Sequence, residues 1–246
     1  VNFAMLKLYG VPASQPVRAV MWLCQMKKLP MEFVPVCLRP IACILTRRQT
    51  MPGSKKEGGS RHPDFMKVSP LGTVPAIDDG GFKLAESHAI MCYLASKNGW
   101  TDLYPTDLAE RARVDEYLHW HHRNTREITL RTFAPLARPD LGLKFNPKAV
   151  EPVLKSLDAQ LGKSEYLQGF SHPTLADISA YMEVGQTLPQ YCDLLDLSPY
   201  PNLNAWIARM QALPGHDDIH NVKPLPKFFA MLKEGGKKAR EQLSKL

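Results

Sequence analysis

No two of the five cysteines (Cys24, Cys37, Cys43, Cys92 and Cys192) are spaced as CxxC, and their number is odd. That argues against a disulfide framework, a zinc ribbon and a thioredoxin-type redox pair together, and makes a reducing, cytoplasmic compartment the expectation. No stretch approaches the roughly 18 consecutive apolar residues of a bilayer span. The first residues also lack a basic segment leading into an apolar one, so a soluble, unsecreted protein is expected. Internal repeats and low-complexity tracts are absent too. Proline and glycine, at 21 and 15 of 246 residues, are too few for a collagenous or disordered chain, and 44% hydrophobic residues supply a core.

The net charge of +7 suggests nucleic acid until it is located. Residues 39–61 and 222–246 each carry a net +5, so the remaining residues together carry −3. Two basic stretches beside a nearly neutral body read as solvated loop and tail, and no aromatic residues interleave with the tail lysines as a single-strand binder needs. Neither nucleic acid nor membrane is an expected partner.

Hydrophobic periodicity divides the chain. Residues 4–9 (AMLKLY) form a short apolar run ending at Gly10, the signature of a buried strand. After the turn at residues 11–13, Ser14 stands at a helix N-cap, with Pro16 in the first turn and Val17, Val20, Met21 and Cys24 on one face. Residues 31–36 (MEFVPV) are a second strand, placed at a sheet edge by Pro35, which has no ladder donor. Residues 38–64 read as a long basic loop. Residues 70–77 (PLGTVPAI) and 82–87 (FKLAES) flank Asp78-Asp79-Gly80-Gly81 as a hairpin, and a helix follows from Ser87 to Lys97.

Beyond a linker reaching Pro105, only helical patterns recur. Asp107 with Glu110 and Thr174 with Asp177 have capping-box spacing. In the helix after Asp107, Val114, Tyr117, Leu118 and His121 share a face. Further helices are expected over 149–161, 175–188, 203–212 and 228–243. The expected architecture is therefore an α/β domain over 1–98 and an all-helical domain over 105–246. His121 and His122 point to different helix faces and have no third ligand at suitable spacing, so no metal site is expected.

Singly, Ser14, Val74-Pro75 and Glu86-Ser87 are a cap, a strand entry and another cap. In sequence they carry more. SQPVRAV (14–20), LGTVPA (71–76), Glu86-Ser87 and ARVDEYLHWHHRNTR (112–126) together resemble the glutathione S-transferases, and YGVPASQPVRAV looks like the theta class. The likeness covers nearly the whole chain. It implies a thioredoxin-like β-α-β/β-β-α domain that binds glutathione as co-substrate, then an all-α domain for the electrophile. Activity as a glutathione transferase in detoxification, hydroperoxide reduction and a cytoplasmic homodimer are implied as well. The alternative is a non-catalytic ligand-binding or interaction protein of the same fold.

The resemblance places Ser14 beside the glutathione sulfur, where a hydroxyl at a helix start can donate to the thiolate, the nucleophilic form. Tyr9 lies on the strand, before the turn. By the same likeness Thr73, Val74 and a cis Pro75 present backbone to the cysteinyl part. Ser87 takes the γ-glutamyl carboxylate and Glu86 its amino group, and Arg126 is a catalytic cation that stabilises developing negative charge. The bland alternative for Arg126 is a solvated helix arginine. Two departures stand out. The 38–58 insertion makes the loop far longer than usual, leaving Arg61 to hold the glycyl carboxylate and His62 displaced by two positions. Arg123 stands where some members carry an acid that crosses a dimer.

Overall fold

A computed structural model describes residues 5–36 and 59–245. The proposed 38–58 insertion, with Cys37 and Cys43, lies outside the described residues. The chain divides into two compact units after Asn98.

The first unit is a four-stranded sheet of order β2-β1-β3-β4, formed by Leu6–Gly10 (β1), Met31–Pro35 (β2), Ala76–Asp79 (β3) and Phe82–Ala85 (β4). β1 and β2 are parallel, joined through helix Gln15–Met26 (α1); the other pairs are antiparallel. Pro35 indeed lies in an edge strand. The helical face of α1 read from the sequence is buried, with Val17, Val20 and Cys24 at 1% exposure or less. Burial pushes the Cys24 thiol up to about 12, an inert packing cysteine. Tyr9, Val34, Val36, Phe65, Val68 and Ala76 pack together on the sheet. Helix Ser87–Lys97 (α3) closes the unit.

Two expectations are corrected here. The third strand begins at Ala76 rather than at residue 70, because residues 69–72 form a hydrogen-bonded turn and Val74–Pro75 is a cis peptide without a ladder donor. Residues 59–64 are not irregular loop: Gly59–Arg61 is a 3₁₀ turn and Pro63–Met66 a short helix (α2).

The second unit contains only helices among its described residues. They are Leu108–His121 (α4), Thr125–Ile128 (α5), Ala134–Ala137 (α6), Glu151–Leu161 (α7), Leu175–Gly185 (α8), Pro201–Gln211 (α9), His216–His220 (α10) and Leu225–Leu243 (α11). The buried residues of α4 are Val114, Tyr117, Leu118 and His121, the face expected from their spacing. All eleven residues of α8 are buried, so this helix is the centre of the unit. Its N-terminus carries the capping box of Thr174 and Asp177. It stops at Gly185, short of the expected 188, where a Cβ would lie 2.7 Å from the Tyr181 ring. No helix among the described residues is long and apolar enough to cross a membrane.

Candidate functional site

Strand direction gathers the predicted residues of the first unit. Tyr9 pairs with Ala76 and Ala76 with Ala85, so the chain leaving β1, the chain entering β3 and the chain leaving β4 meet at one end of the sheet. It is the carboxyl end of the parallel strands, where α/β sheets bind ligands. Ser14, Val74-Pro75 and Glu86-Ser87 occupy these three segments.

Ser14 ends the turn after β1. Its backbone N–H donates to Val11 O (2.9 Å) and its C=O accepts from Arg18 N (3.0 Å), which fixes it as the N-cap of α1. Its side chain, however, makes no capping hydrogen bond. The turn is seated closely: a Cβ on Gly10 would come within 2.7 Å of the Val17 methyls. Pro16, in the first turn, has no N–H to offer, and Ser14 itself is half-buried. Tyr9 behaves differently. Burial, aided by Asp78 and Glu32, raises its phenol above the ordinary value, and its ring packs 6.1 Å from Phe65. It is a core residue.

Val74–Pro75 is cis, as the resemblance implied. Thr73 before it is exposed and Pro75 is buried. Among the described residues the Val74 backbone N–H and C=O enter no hydrogen bond. One strand away, Glu86 adopts φ 72° and ψ 114°, a conformation costly for any residue with a side chain. It leads into Ser87, the first residue of α3, and its own carbonyl accepts from Ile90 N at 2.9 Å. The strained entry is a local arrangement that capping needs do not explain, since Glu86 makes no side-chain cap either. Arg61 is exposed at the end of its 3₁₀ turn. His62 instead caps α2, its Nδ1 accepting from Asp64 N at 3.2 Å.

In the second unit Arg126 is paired and only partly exposed. Its Nη1 lies 2.8 Å from Oε1 of Glu183, with the arginine side chain 30% exposed and the glutamate 2%. Thr129 donates to the other carboxylate oxygen, His121 Nε2 stands 3.6 Å from Oε1, and Gln186 donates to Thr129 Oγ1 at 2.6 Å. Burial alone would raise the Glu183 carboxyl; Arg126, His121 and Thr129 outweigh it and hold it at about 2. Thr129 opens a π-helical turn, Thr129–Phe133, a widening that often marks functional sites. His122 and Arg123 are exposed. Among the described residues no group of three or more His, Cys, Asp or Glu could hold a metal ion.

Glu183 was missed by the sequence reading. The available signal was a carboxylate within ISAYMEVG, a stretch without other charges, since a glutamate in a wholly buried helix requires a partner. Ser69, fully buried beside Thr73, was missed as well.

A thioredoxin-like sheet followed by an all-helical unit defines the two-domain class to which glutathione transferases belong. Residues 8–101 match the family model of the glutathione S-transferase N-terminal domain. Glutathione S-transferase T1 of Arabidopsis thaliana is 32% identical, covering 96% of this chain and 94% of that protein. Glutathione S-transferase theta-1 of Rattus norvegicus is 34% identical over 89% and 88%. The chain therefore belongs to the glutathione S-transferase family, with theta-class likeness. It spans only 37% of the length of another relative, glutathione S-transferase T3 of Arabidopsis thaliana, at 34% identity over 88% of this chain. Among solved structures, the human theta-class transferase in complex with the glutathione conjugate of 1-menaphthyl sulfate superposes with a TM-score of 0.71 at 26% identity, covering 98% of this chain and 92% of that one. A delta-class transferase of Nilaparvata lugens gives 0.76 at 28%, over 93% and 99%.

Proposed function

We propose that this chain is a glutathione transferase that conjugates the glutathione thiolate to small electrophiles, with Ser14 as the thiolate's hydrogen-bond donor. One observation carries the reading: a hydroxyl at the N-cap of α1 that makes no capping hydrogen bond. A donor and a positive helix end both favour the ionised sulfur, so a thiol with an ordinary pKa near 8.5 becomes largely thiolate at neutral pH. The thiolate forms a carbon–sulfur bond while the leaving group departs with the electron pair of the broken bond. The same sulfur attacks the terminal oxygen of an organic hydroperoxide; the O–O bond breaks, the alcohol departs after protonation, and a second glutathione converts the resulting glutathione sulfenic acid to glutathione disulfide and water.

Thr73 and Val74, before Pro75, present backbone to the cysteinyl part of glutathione; Glu86 and Ser87 hold its γ-glutamyl end, and Arg61 its glycyl carboxylate. Arg126 supplies the catalytic cation, with Glu183 as its counter-ion. A cytoplasmic homodimer acting in detoxification is part of the same reading and rests on family membership alone.

The test is Ser14→Ala, assayed with glutathione and 1-menaphthyl sulfate. Glutathione affinity is expected within a few-fold of wild type, with a raised pKa for the bound thiol. Turnover should fall roughly 10²- to 10³-fold, the usual effect of one lost donor to a developing or resident anion. Unchanged turnover, with chemistry shown to limit the rate, removes Ser14 from the mechanism.

A further inference from the structure

The loop that delivers Val74 is fastened by one side chain. Ser69 is fully buried, and its Oγ donates to Thr73 O at 2.9 Å while accepting from Thr73 N at 3.2 Å. Its carbonyl accepts from Gly72 N at 2.8 Å, closing a turn with Pro70 at the second position, which suits proline's fixed φ. Ser69 thus occupies both backbone groups of Thr73. The next peptide, at Val74, is left with its N–H and C=O unused among the described residues. A ligand strand meets an amide already held in place.

The same turn leans on Arg61. Gly72 has φ +65°, and a Cβ there would lie 2.7 Å from Ser60 O and 3.3 Å from Arg61 Cδ. The backbone around Gly72 and the 3₁₀ turn carrying Arg61 are therefore in direct contact, with no room for a side chain between them.

We propose that Ser69 is a positioning residue for glutathione: its hydroxyl presets the Val74 backbone for the cysteinyl part. This rests on the assignment of Val74 and Arg61 above. Ordering that backbone before binding removes part of the entropy that association would otherwise lose, so the effect belongs in affinity rather than in turnover. Ser69 touches no substrate and acts only through Thr73 and Val74.

The experiment compares calorimetric titration of the whole chain with glutathione and with γ-glutamylcysteine, the same peptide lacking glycine. Ser69→Ala should lose about tenfold in affinity for both, the expected size for two lost hydrogen bonds that fix the site. Arg61→Ala should weaken glutathione and leave γ-glutamylcysteine unchanged. Ser69→Thr, which keeps the hydroxyl, should restore binding. In steady state, Ser69→Ala should raise KM for glutathione with kcat at saturation unchanged; a fault in folding alone would lower kcat through the active fraction and leave KM where it was. If Ser69→Ala does not fold, Ser69→Cys, near in size with a weaker hydrogen-bonding group, carries the same comparison. Wild-type affinity in the Ser69 variant, while Glu86→Ala and Ser87→Ala lose affinity, overturns the proposal alone. Wild-type affinity in all of these variants overturns the reading of the site and the proposal with it.

Discussion

Ser14 and Arg126 differ in what surrounds them. The Ser14 hydroxyl makes no cap, so its deletion removes little from the fold. Arg126 is bound to a buried carboxylate, so its deletion strands a charge. Removing one partner of a buried ion pair typically costs about 3–5 kcal/mol, although the intact pair contributes far less; partial exposure of Arg126 places this one at the lower end, about 3 kcal/mol. Arg126→Ala should therefore destabilise the protein by that amount in urea titrations. Arg126→Ala with Glu183→Gln should recover part of the loss, because the neutral amide no longer needs a cation. If the double variant is less stable than Arg126→Ala, Glu183 contributes through His121 and Thr129 rather than through the pair. Activity lost in Arg126→Ala carries mechanistic weight only after this stability effect is separated from it.

At the scale of the element, α8 decides the second unit. Asp177 accepts from four donors: Thr174 N, Thr174 Oγ1, Leu167 N and Trp206 Nε1, the two nitrogens outside the box at 2.9 Å. It joins the helix start to the turn at Leu167–Gly169 and to α9, beyond the local capping the sequence showed. Thr174→Ala should cost about 1–2 kcal/mol, the usual value of a cap. Asp177→Ala strands several buried donors and should cost more than 3 kcal/mol, since each unsatisfied group carries its own desolvation penalty. Chemical denaturation orders the two, and equal losses would reduce Asp177 to an ordinary cap.

The same helix shows how far the sequence was legible. The Thr-x-x-Asp spacing and the α4 face are local and periodic, so they can be read from the chain; so can the sheet units and the order SQPVRAV, LGTVPA, Glu86-Ser87. Trp206 and Glu183 reach partners 29 and 57 positions away; the lone carboxylate in an uncharged helix asks for a partner, but nothing local says which residue supplies it. The π turn at Thr129–Phe133 and the short α10 have no distinct period. The positive φ of Glu86 is set by its position between β4 and α3, where a glycine would have been the only local clue. The Ser69 turn hid inside an apolar run that also fits a strand.

Across the whole molecule, acid acts on carboxylates whose pKa values are shifted in opposite directions. In the first unit, burial would raise Asp79, but hydrogen bonds from Lys97 and Tyr93 hold it below its usual value. In the second, Glu183 is held at about 2 from an ordinary 4.5. A depressed carboxylate stabilises above its unfolded pKa and loses that contribution as pH falls toward its folded one. Asp177 runs the other way: burial pushes it up to about 6 against its four hydrogen bonds, so it gains a proton in the native state first and adds stability as pH falls from 6 to 3.8. Between pH 6 and about 4.5 the second unit therefore resists acid, the two effects offset each other from 4.5 to 3.8, and below 3.8 Glu183 dominates. Its share amounts to about 3 kcal/mol between pH 4.5 and 2. The stability advantage of wild type over Glu183→Gln should be constant from pH 7 to 5 and shrink steadily from pH 4.5 to 3. Urea unfolding at half-unit intervals checks it. A difference that stays constant down to pH 3 shows that Arg126 and His121 do not hold Glu183 ionised, and it removes the counter-ion role from Glu183 as well.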